Sequence, residues 1–543
     1  MNQQQYTHIP QEKFAFAQLD ANIHDKKLQT KSRGYFADAL LRFKKNKSSV
    51  IAAYIIGFLL LFSILAPIIS PYSVDDKDDV FVNFPPYIES IAEKGWGIFD
   101  GSKVLESQNE RQYAALQAIA QETGHNPVLE IVDTLVITER VRGKDVQKTT
   151  YSLKVNQYYR VGVVTRNMSY ERYRMIQQFQ NETGLQVLYP MVVQADIYPA
   201  GTDLSIINSI PKDQNLWYKC KDTKGEPLDA DNDASNGIQF VPAYTTDATL
   251  EGKEPYNSKR IEGDPGNYIY SFEKQNAVQV RVCYYTFYQF MQWENSMKAS
   301  GGTVGEYTAP RYIFGTNELG QDIFCAIGVG ARFSILFAIL VSAVNLFIGA
   351  IYGAIQGYYG GTIDLVLDRI SDILSGVPQI VVVTLFQLHL APDLGEYGPF
   401  IAFIMAFIMT GWIGMAALTR KQFYRFKSQE HILAARTLGA SDRRLMFKHI
   451  FPNSLGTIVT SCALVIPGVI SSETSLTYLH IIDLSKVAGT TIGTLMEQGQ
   501  RAMTSAPHAM LYPALFFSLL MISFNLFGNG LRDAFNPTTR GAE

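Results

Sequence analysis

Between Glu430 and Asn453 the chain reads EHILAARTLGASDRRLMFKHIFPN. Ile432, Ala435 and Leu438 recur at helical spacing, Gly439 interrupts, and Leu445, Phe447 and Ile450 resume the apolar pattern before Pro452. The pattern predicts a helix, a tight glycine turn, and a second short helix that Pro452 ends. Ala434, Ala435, Gly439 and Ala440 are small enough for another protein surface to come close to this backbone. The stretch is basic, with Arg436, Arg443, Arg444 and Lys448, yet it lies between two charge-free runs long enough to cross a bilayer.

Working outward, composition supports a membrane setting. Apolar residues make up 47% of the 543 residues and charged residues only 18%, against about a quarter in soluble domains. Charge-free runs at 48–70, 333–359, 373–392, 397–419, 453–472 and 506–531 predict six membrane helices. The first run starts too late and is too long for a cleavable signal. Residues 1–47 carry nine Lys and Arg against four acids, so the positive-inside rule places this tail in the cytoplasm. An even number of crossings returns the tail at 533–543 to the same side. The segment 420–449, with eight basic residues and two acidic, falls there too.

From 73 to 310 the chain changes character. This stretch carries nine more acidic than basic residues, and its length and periodic segments predict a folded α+β domain outside the membrane. Helices are expected at 106–123 and 170–182, and strands at 148–165, 185–197 and 277–288. The Asp, Asn, Gly and Pro content of 222–264 predicts a surface excursion. Cys220 and Cys283 both lie in this oxidisable region and are candidates for a disulfide, the alternative being two separately buried thiols. The expected division is a tail (1–47), a first membrane helix (48–72), the outer domain (73–310), a core of five further helices (311–532) with a basic loop at 420–452, and a second tail (533–543).

Several chemistries lack support. No GxxxxGK[ST] loop occurs, so the chain is not expected to cradle nucleotide phosphates itself. The eight His form no HExxH or similar cluster, and the four Cys show no metal-ligand spacing. No Ser-His-Asp set has local support, and segregated charge gives no nucleic-acid signature.

The Glu430 to Asn453 stretch resembles the EAA loop of ABC-importer permeases, although the Glu that names that motif is Leu433 here. Tyr312 to Leu340 (YIFGTNELGQDIFCAIGVGARFSILFAIL) resembles the segment before the second helix of the C-type subunit in the dipeptide, oligopeptide and nickel group, with Asn317 and Gln321 standing where that family usually has Asp and Arg. Tyr358 to Ile380, Ser471 to Leu479 and Phe524 to Pro537 continue the likeness in the same order. His480 to Asp483 replace the family's usual glycine-rich continuation, and about 220 residues follow Asn83-Phe84-Pro85-Pro86 where a usual member goes almost directly to the GTNELGQD-like stretch.

The resemblance implies an α-helical membrane protein with the six-helix type I importer permease fold plus an inserted extracellular α+β domain, in a bacterial cell membrane. It implies a non-catalytic subunit of an ATP-driven peptide importer. The partners would be a second permease chain, two ATP-binding subunits that hold ATP and Mg, and an external substrate-binding lipoprotein. The coupling residues would be Ile432, Leu433, Ala434, Ala435, Arg436, Leu438, Gly439 and Ala440. Gly315, Asn317, Gly320 and Asp322 would form an outer-mouth motif in which Asp322 could pair with Arg332. Asn345, Gln387 and Glu473 are candidates for a polar path, weighed against plain inter-helix hydrogen bonding. Asp364, Asp368, Arg369 and Asp372 read as a helix-end salt-bridge cluster. Alternatives are a metal-chelate importer of the same family, a membrane-anchored sensor whose outer domain binds a ligand, and a passive channel.

Overall fold

The computed structural model describes residues 35–141, 144–189, 218–221, 239–242, 259–262, 268–272, 277–302, 304–482, 484 and 489–535. Helix α1 (Tyr35–Lys45) ends in a basic turn, and α2 (Lys47–Ile69) follows as the first apolar span, capped by the Asn46 side chain on the Ser49 amide. Its Tyr54 and Ile68 face outward while Ala52, Leu59 and Ala66 are buried, the one-sided burial of a helix with lipid on its other face.

The region after α2 builds two small sheets. Strand β1 (Ser102–Asn109), helix α3 (Glu110–Thr123), and the long hairpin of β2 (Val128–Val141) and β3 (Lys144–Asn156) form an antiparallel sheet of order β1-β3-β2. A capping box at Asn109 and Gln112 starts α3, and Gly124 with φ of 75° ends it. Strand β4 (Val163–Ser169) leads into α4 (Tyr170–Thr183) and the short β5 (Leu188–Tyr189). A hairpin of β6 (Tyr218–Lys221) and β7 (Gln239–Pro242) forms a separate two-stranded sheet, with β7 beside α3. Strands β8 (Lys259–Glu262), β9 (Tyr268–Phe272) and β10 (Ala277–Cys283) complete a second sheet, β4-β10-β9-β8, with β5 also on β10.

Arg281 of β10 and Glu122 of α3, both with fully buried side chains, meet at 2.8 Å and tie the two sheets together. Removing one partner of such a pair leaves a buried charge behind, which makes it a strong lock on relative placement.

Helix α5 (Tyr284–Ala299) buries Tyr284, Tyr285, Phe287, Tyr288, Phe290 and Trp293. Its first turns were expected to extend a strand through residue 288. Aromatic residues favour strands, but burial around nearly the whole helix outweighs that preference. The rings gather into a core that also takes Tyr72, Phe81, Tyr87, Tyr158 and Tyr312, with Tyr72 stacked on Tyr312 at 4.5 Å and Tyr87 on Tyr158 at 4.6 Å. The chain enters and leaves this region side by side, since Tyr87–Ile88 pairs antiparallel with Arg311–Tyr312.

The predicted strand at 148–165 is divided by a short helix, Gln157–Arg160, between β3 and β4. Of 185–197 only β5 is described, and most of 222–264 lies outside the described residues, as do residues 1–34 and 536–543 of the tails. The Cys220–Cys283 bridge is not formed: Cys283 is a free thiol enclosed by the aromatic core, where burial pushes its pKa up, and the Cys220 side chain lies outside those described.

The membrane core then runs through α6 (Ile323–Tyr359), α7 (Gly361–Ser375), α8 (Gln379–Leu385, prolonged by a π turn to Leu390), α9 (Gly398–Gly411) and α10 (Ile413–Lys427). It continues with α11 (Glu430–Thr437), α12 (Phe451–Tyr478), α13 (Ile492–Arg501) and α14 (His508–Phe535). Among the described residues five helical spans are long and apolar enough to cross a membrane: Lys47–Ile69, Ile323–Tyr359, Pro392–Lys427, Asp442–Tyr478 and His508–Phe535.

The sixth expected span, 373–392, falls in a pair bent by 74°, α7 followed by residues 379–390, which makes six spans when the pair is counted as one broken span. Pro378 supplies no amide hydrogen and pushes Val377 away from helical geometry, so the helix breaks at Gly376-Val377-Pro378.

What binds α6 to α10 is a ridge of three glycines four residues apart. A Cβ at Gly349 would sit 2.6 Å from the Trp412 carbonyl oxygen, one at Gly353 would collide with the Ala416 carbonyl, and one at Gly357 would lie 2.6 Å from Phe423 Cβ. Small residues at this spacing let two helix backbones touch, the association device available where lipid is no less apolar than a side chain.

Candidate functional sites at the two ends of α6

Helix α6 has 37 residues, or about 55 Å at 1.5 Å each, so its ends lie at opposite extremes of the helix bundle. One end meets the basic loop. There α11 folds back on the core through Ile432, which is buried with Leu445, Met446, Ile450, Phe423 and Tyr358. The Leu438, Gly439 and Ala440 amides bond to the Ala434, Arg436 and Ala435 carbonyls at 3.0 to 3.1 Å, and Gly439 takes φ of 82°, the left-handed turn that lets the chain reverse.

Leu438 is 88% exposed at the tip, and Leu433, Ala434 and Arg436 also face out, while Ala435 and Ala440 are half-buried. The expected coupling residues therefore divide: Ile432 anchors the elbow from within, and the others surround an exposed apolar tip. Tyr358, the penultimate residue of α6, donates to Asp442 Oδ1 at 2.5 Å and accepts from Arg436 Nη2 at 3.1 Å. A single hydroxyl thus joins the long helix to both arms of the elbow.

The second arm does not end at Pro452. It continues from Asp442 through Tyr478 as one span. A widened π turn over Leu445–Ile450 lies just before the proline, and Pro452 occupies the first turn of the α-helix that follows. The wide π turn takes up the hydrogen bond that Pro452 cannot donate, so the helix runs on past the proline. The elbow is thereby continuous with a membrane span.

Beside it, Arg420 of α10 holds Asp364 at 2.7 Å and Asp368 at 2.6 Å on α7, with Tyr424 donating to Asp364, and Arg369 meets Asp372 at 3.2 Å. The acidic residues of 364–372 are the salt-bridge cluster their spacing suggested.

At the other end of α6 the four residues of the expected outer-mouth motif form a clasp. Asp322 caps α6, accepting from the Phe324 and Cys325 amides, and takes the Ser70 hydroxyl at 2.8 Å from the end of α2. Burial pushes its carboxyl up to about 6. Its expected partner Arg332 turns instead to the Ser63 carbonyl, because the Asp322 oxygens are occupied by the helix cap.

Buried Asn317 accepts from the Leu319 and Gln321 amides and donates to Gln321 Oε1 at 2.9 Å and Gln498 Oε1 at 3.1 Å. Gln321 reaches the Val74 carbonyl at 2.5 Å, and Thr316 exchanges bonds with Phe81 and Phe84. Uncharged Asn317 and Gln321 thus close a local amide network. Gly315 and Gly320, at φ of 78° and 70°, leave no space for a side chain: a Cβ would run into the Phe84 carbonyl at the first and the Asp78 carbonyl at the second. The clasp grips residues 74–84, the strap leading from α2 into the α+β region.

The three candidate path residues are each tied to a different neighbour. Asn345 donates to the Phe407 carbonyl at 3.4 Å, Gln387 to the Pro399 carbonyl at 2.7 Å, and Glu473, fully buried, accepts from Ser334 at 2.9 Å and Thr474 at 3.3 Å. The Asn345 and Gln387 bonds, and the Glu473 bond to Ser334, each join two different helical segments. The Gly349, Gly353 and Gly357 ridge, which sequence reasoning passed over, was signalled by its four-residue spacing. Among the described residues no group of His, Cys, Asp and Glu is arranged to hold a metal ion.

Comparison with known proteins agrees with this architecture. Residues 346–541 match the family described as binding-protein-dependent transport system inner membrane component, and residues 34–86 match the N-terminal TM domain of oligopeptide transport permease C. The oligopeptide transport system permease protein OppC of Bacillus subtilis is 40% identical over 227 residues, covering 42% of this chain and 72% of that one. The dipeptide transport system permease protein DppC of the same organism is 36% identical over 228 residues, 42% and 69% of the two chains. That of Lactococcus lactis is 33% identical over 253 residues, 45% and 71%. With both family segments in order and the helical spans between and around them, this multi-pass membrane protein belongs to the oligopeptide and dipeptide permease family of binding-protein-dependent transport systems.

Proposed function

We propose that the chain is one of two membrane halves of an importer for peptides, driven by ATP that partner subunits bind with Mg and hydrolyse. The carrying observation is the elbow: an exposed apolar tip at Leu438, on a glycine turn, rigidly continuous with a membrane span and bonded through Tyr358 to α6. The positive-inside rule supports a cytoplasmic elbow and cytoplasmic termini, which puts residues 73–310 outside as an insertion at the mouth. A second permease chain and an external binding protein complete the assembly.

In this reading the ATP-binding subunits receive the tip formed by Leu433, Ala434, Leu438 and Gly439, and Ile432 keeps α11 from peeling away under load. Movement of the tip passes along the Asp442–Tyr478 span and, through Tyr358, along α6 to the mouth. Access to the path then alternates by rigid rocking of helices. The chain contributes shape and leverage, with no bond made or broken on it.

Leu438→Asp tests this directly. Its side chain touches little of its own protein, so the subunit should fold and insert as before. Co-purification of the ATP-binding subunits and ATP-dependent peptide uptake in proteoliposomes should both fall at least tenfold. Unchanged co-purification and uptake would overturn the assignment of the elbow.

A further inference from the structure

The α+β region holds a cavity of about 380 Å³ in which Tyr87, Glu93, Asp100, Glu130, Lys154 and Tyr159 converge. That volume lies within the range of small-ligand sites. The charges on its wall are unequal: Glu93, Asp100 and Glu130 against Lys154 alone. Asp100 is already engaged, since Lys154 Nζ lies 2.7 Å from its Oδ2 and the Ser102 amide bonds to its Oδ1. The pairing with Lys154 holds the Asp100 carboxyl below its usual range in spite of burial. Glu93 and Glu130 remain, both exposed; Glu130 stands opposite Lys154 in the β2–β3 ladder, but the Lys154 ammonium is turned to Asp100.

The floor is aromatic and fixed. Tyr87 is fully buried, its hydroxyl 3.2 Å from those of Tyr159 and Tyr285, and Tyr285 donates in turn to Glu89 at 2.7 Å. The Tyr87 ring is stacked on Tyr158 and the Tyr159 ring on His125, so this wall is rigid, and the exposed Glu93 and Glu130 carboxylates leave the cavity with a net negative charge that suits an organic cation. The rim is formed by Gly95 and Gly97, both at positive φ, with no side chain to close the entrance.

The cavity also opens onto a strand edge. Leu129 and Glu130 of β2 line it, and β2 is the outer strand of its sheet among the described residues, with Leu129, Ile131, Val132 and Leu135 about half exposed. An exposed edge offers backbone hydrogen bonds to any extended chain laid beside it. A cation site that runs out along a free, apolar strand edge fits the amino-terminal end of an extended peptide: the ammonium between Glu93 and Glu130, the following residues along β2.

We infer that this cavity is a peptide-binding site on the α+β region, recognising the free α-ammonium group of a short peptide. The choice of a peptide over other ammonium compounds rests on the proposed function above. The site would retain cargo beside the entrance.

The test uses the full chain in lipid nanodiscs and calorimetric titration with trialanine, with N-acetyl-trialanine, and with trialanine against the double variant E93Q/E130Q. Both glutamates reach solvent, so the double variant keeps the fold. Trialanine should bind, and acetylation and the double substitution should each weaken binding at least tenfold. No binding of trialanine, equal binding of the acetylated peptide, or an undiminished double variant would overturn the inference. Peptide uptake by the reconstituted wild-type assembly is measured in parallel. Uptake without cavity binding defeats the cavity alone, while cavity binding without ATP-driven uptake defeats the importer reading alone.

Discussion

Gly320 and Gly439 stand near opposite ends of α6 in the same left-handed backbone, at φ of 70° and 82°, yet their surroundings share nothing. Around Gly320 the chain is packed backbone to backbone, and a Cβ there would run into Asp78; around Gly439 nothing lies within 4 Å. The clasp is held to the strap by the Gln321 and Thr316 side chains and the Asn317 and Gly320 carbonyls, and to the end of α2 by Asp322, whereas the elbow relies on one hydrophobic anchor and the Tyr358 bonds and leaves Leu438 in the open. One end of the helix is finished within its own chain. The other is built as a surface that another molecule can complete.

The contrast depends on α6 acting as a continuous strut, so the largest effect should come from the glycine ridge between its ends. Gly353→Leu forces a branched side chain against the Ala416 carbonyl and separates α6 from α10. Overpacking of this kind costs about 3 kcal/mol or more when the obstacle is backbone. Thermal unfolding in detergent should show a large loss of stability, and uptake should vanish.

Next in size is Gly320→Ala. It adds a clash with Asp78 to the strain of a non-glycine residue at positive φ, about 1 to 3 kcal/mol for the strain alone. The expected result is release of the strap, read as faster proteolysis around residues 74–84. Gly439→Ala carries the strain without the clash. It should cost the strain alone, about 1 to 3 kcal/mol of stability, and so less than Gly320→Ala, with any loss of uptake arising from a stiffer, altered tip. Equal destabilisation by the two alanines would remove the distinction between a finished end and an open one.

These differences mark what the sequence made legible. The elbow was readable because its logic is local: a helical period, a glycine, a second period, all within 24 residues. Only its last boundary failed, because a proline at a helix start looks in sequence like a proline at a helix end, and the π turn before it has no sequence signature. The break at Gly376-Val377-Pro378 lay in plain view inside an apolar run, but run length alone was counted.

The clasp residues were singled out, yet their job was not, since their partners are Val74, Asp78, Phe81 and Phe84, more than 230 residues earlier, and nothing in either stretch names the other. The same holds for Arg281 and Glu122, and for the aromatic core that turned an expected strand at Tyr284 into a helix. Long-range burial decides these features, and local pattern carries no record of it.

The smallest expected effect sharpens the account of the clasp. Asp322 is buried as a helix cap and its carboxyl is pushed up from an ordinary 3.8 to about 6. The unfolded chain gives up this proton first, so the folded state binds it more tightly, and the stability gained from the protonated form fades as pH rises from about 4 through about 6. Above that range the contribution is constant. Asn at 322 keeps one acceptor oxygen, which can take the Cys325 amide and the Ser70 hydroxyl that share Oδ2 in the aspartate, and gives up the longer Phe324 bond; asparagine caps helices about as well as aspartate does. Asp322→Asn should therefore leave the fold and the Ser70 contact in place and flatten the slope of stability against pH between 4 and 6, measured by thermal unfolding of the two proteins side by side. A slope unchanged by the substitution would mean that Asp322 stays charged throughout, with its cap and the Ser70 hydroxyl outweighing burial, and that the clasp is electrostatically tuned rather than merely packed.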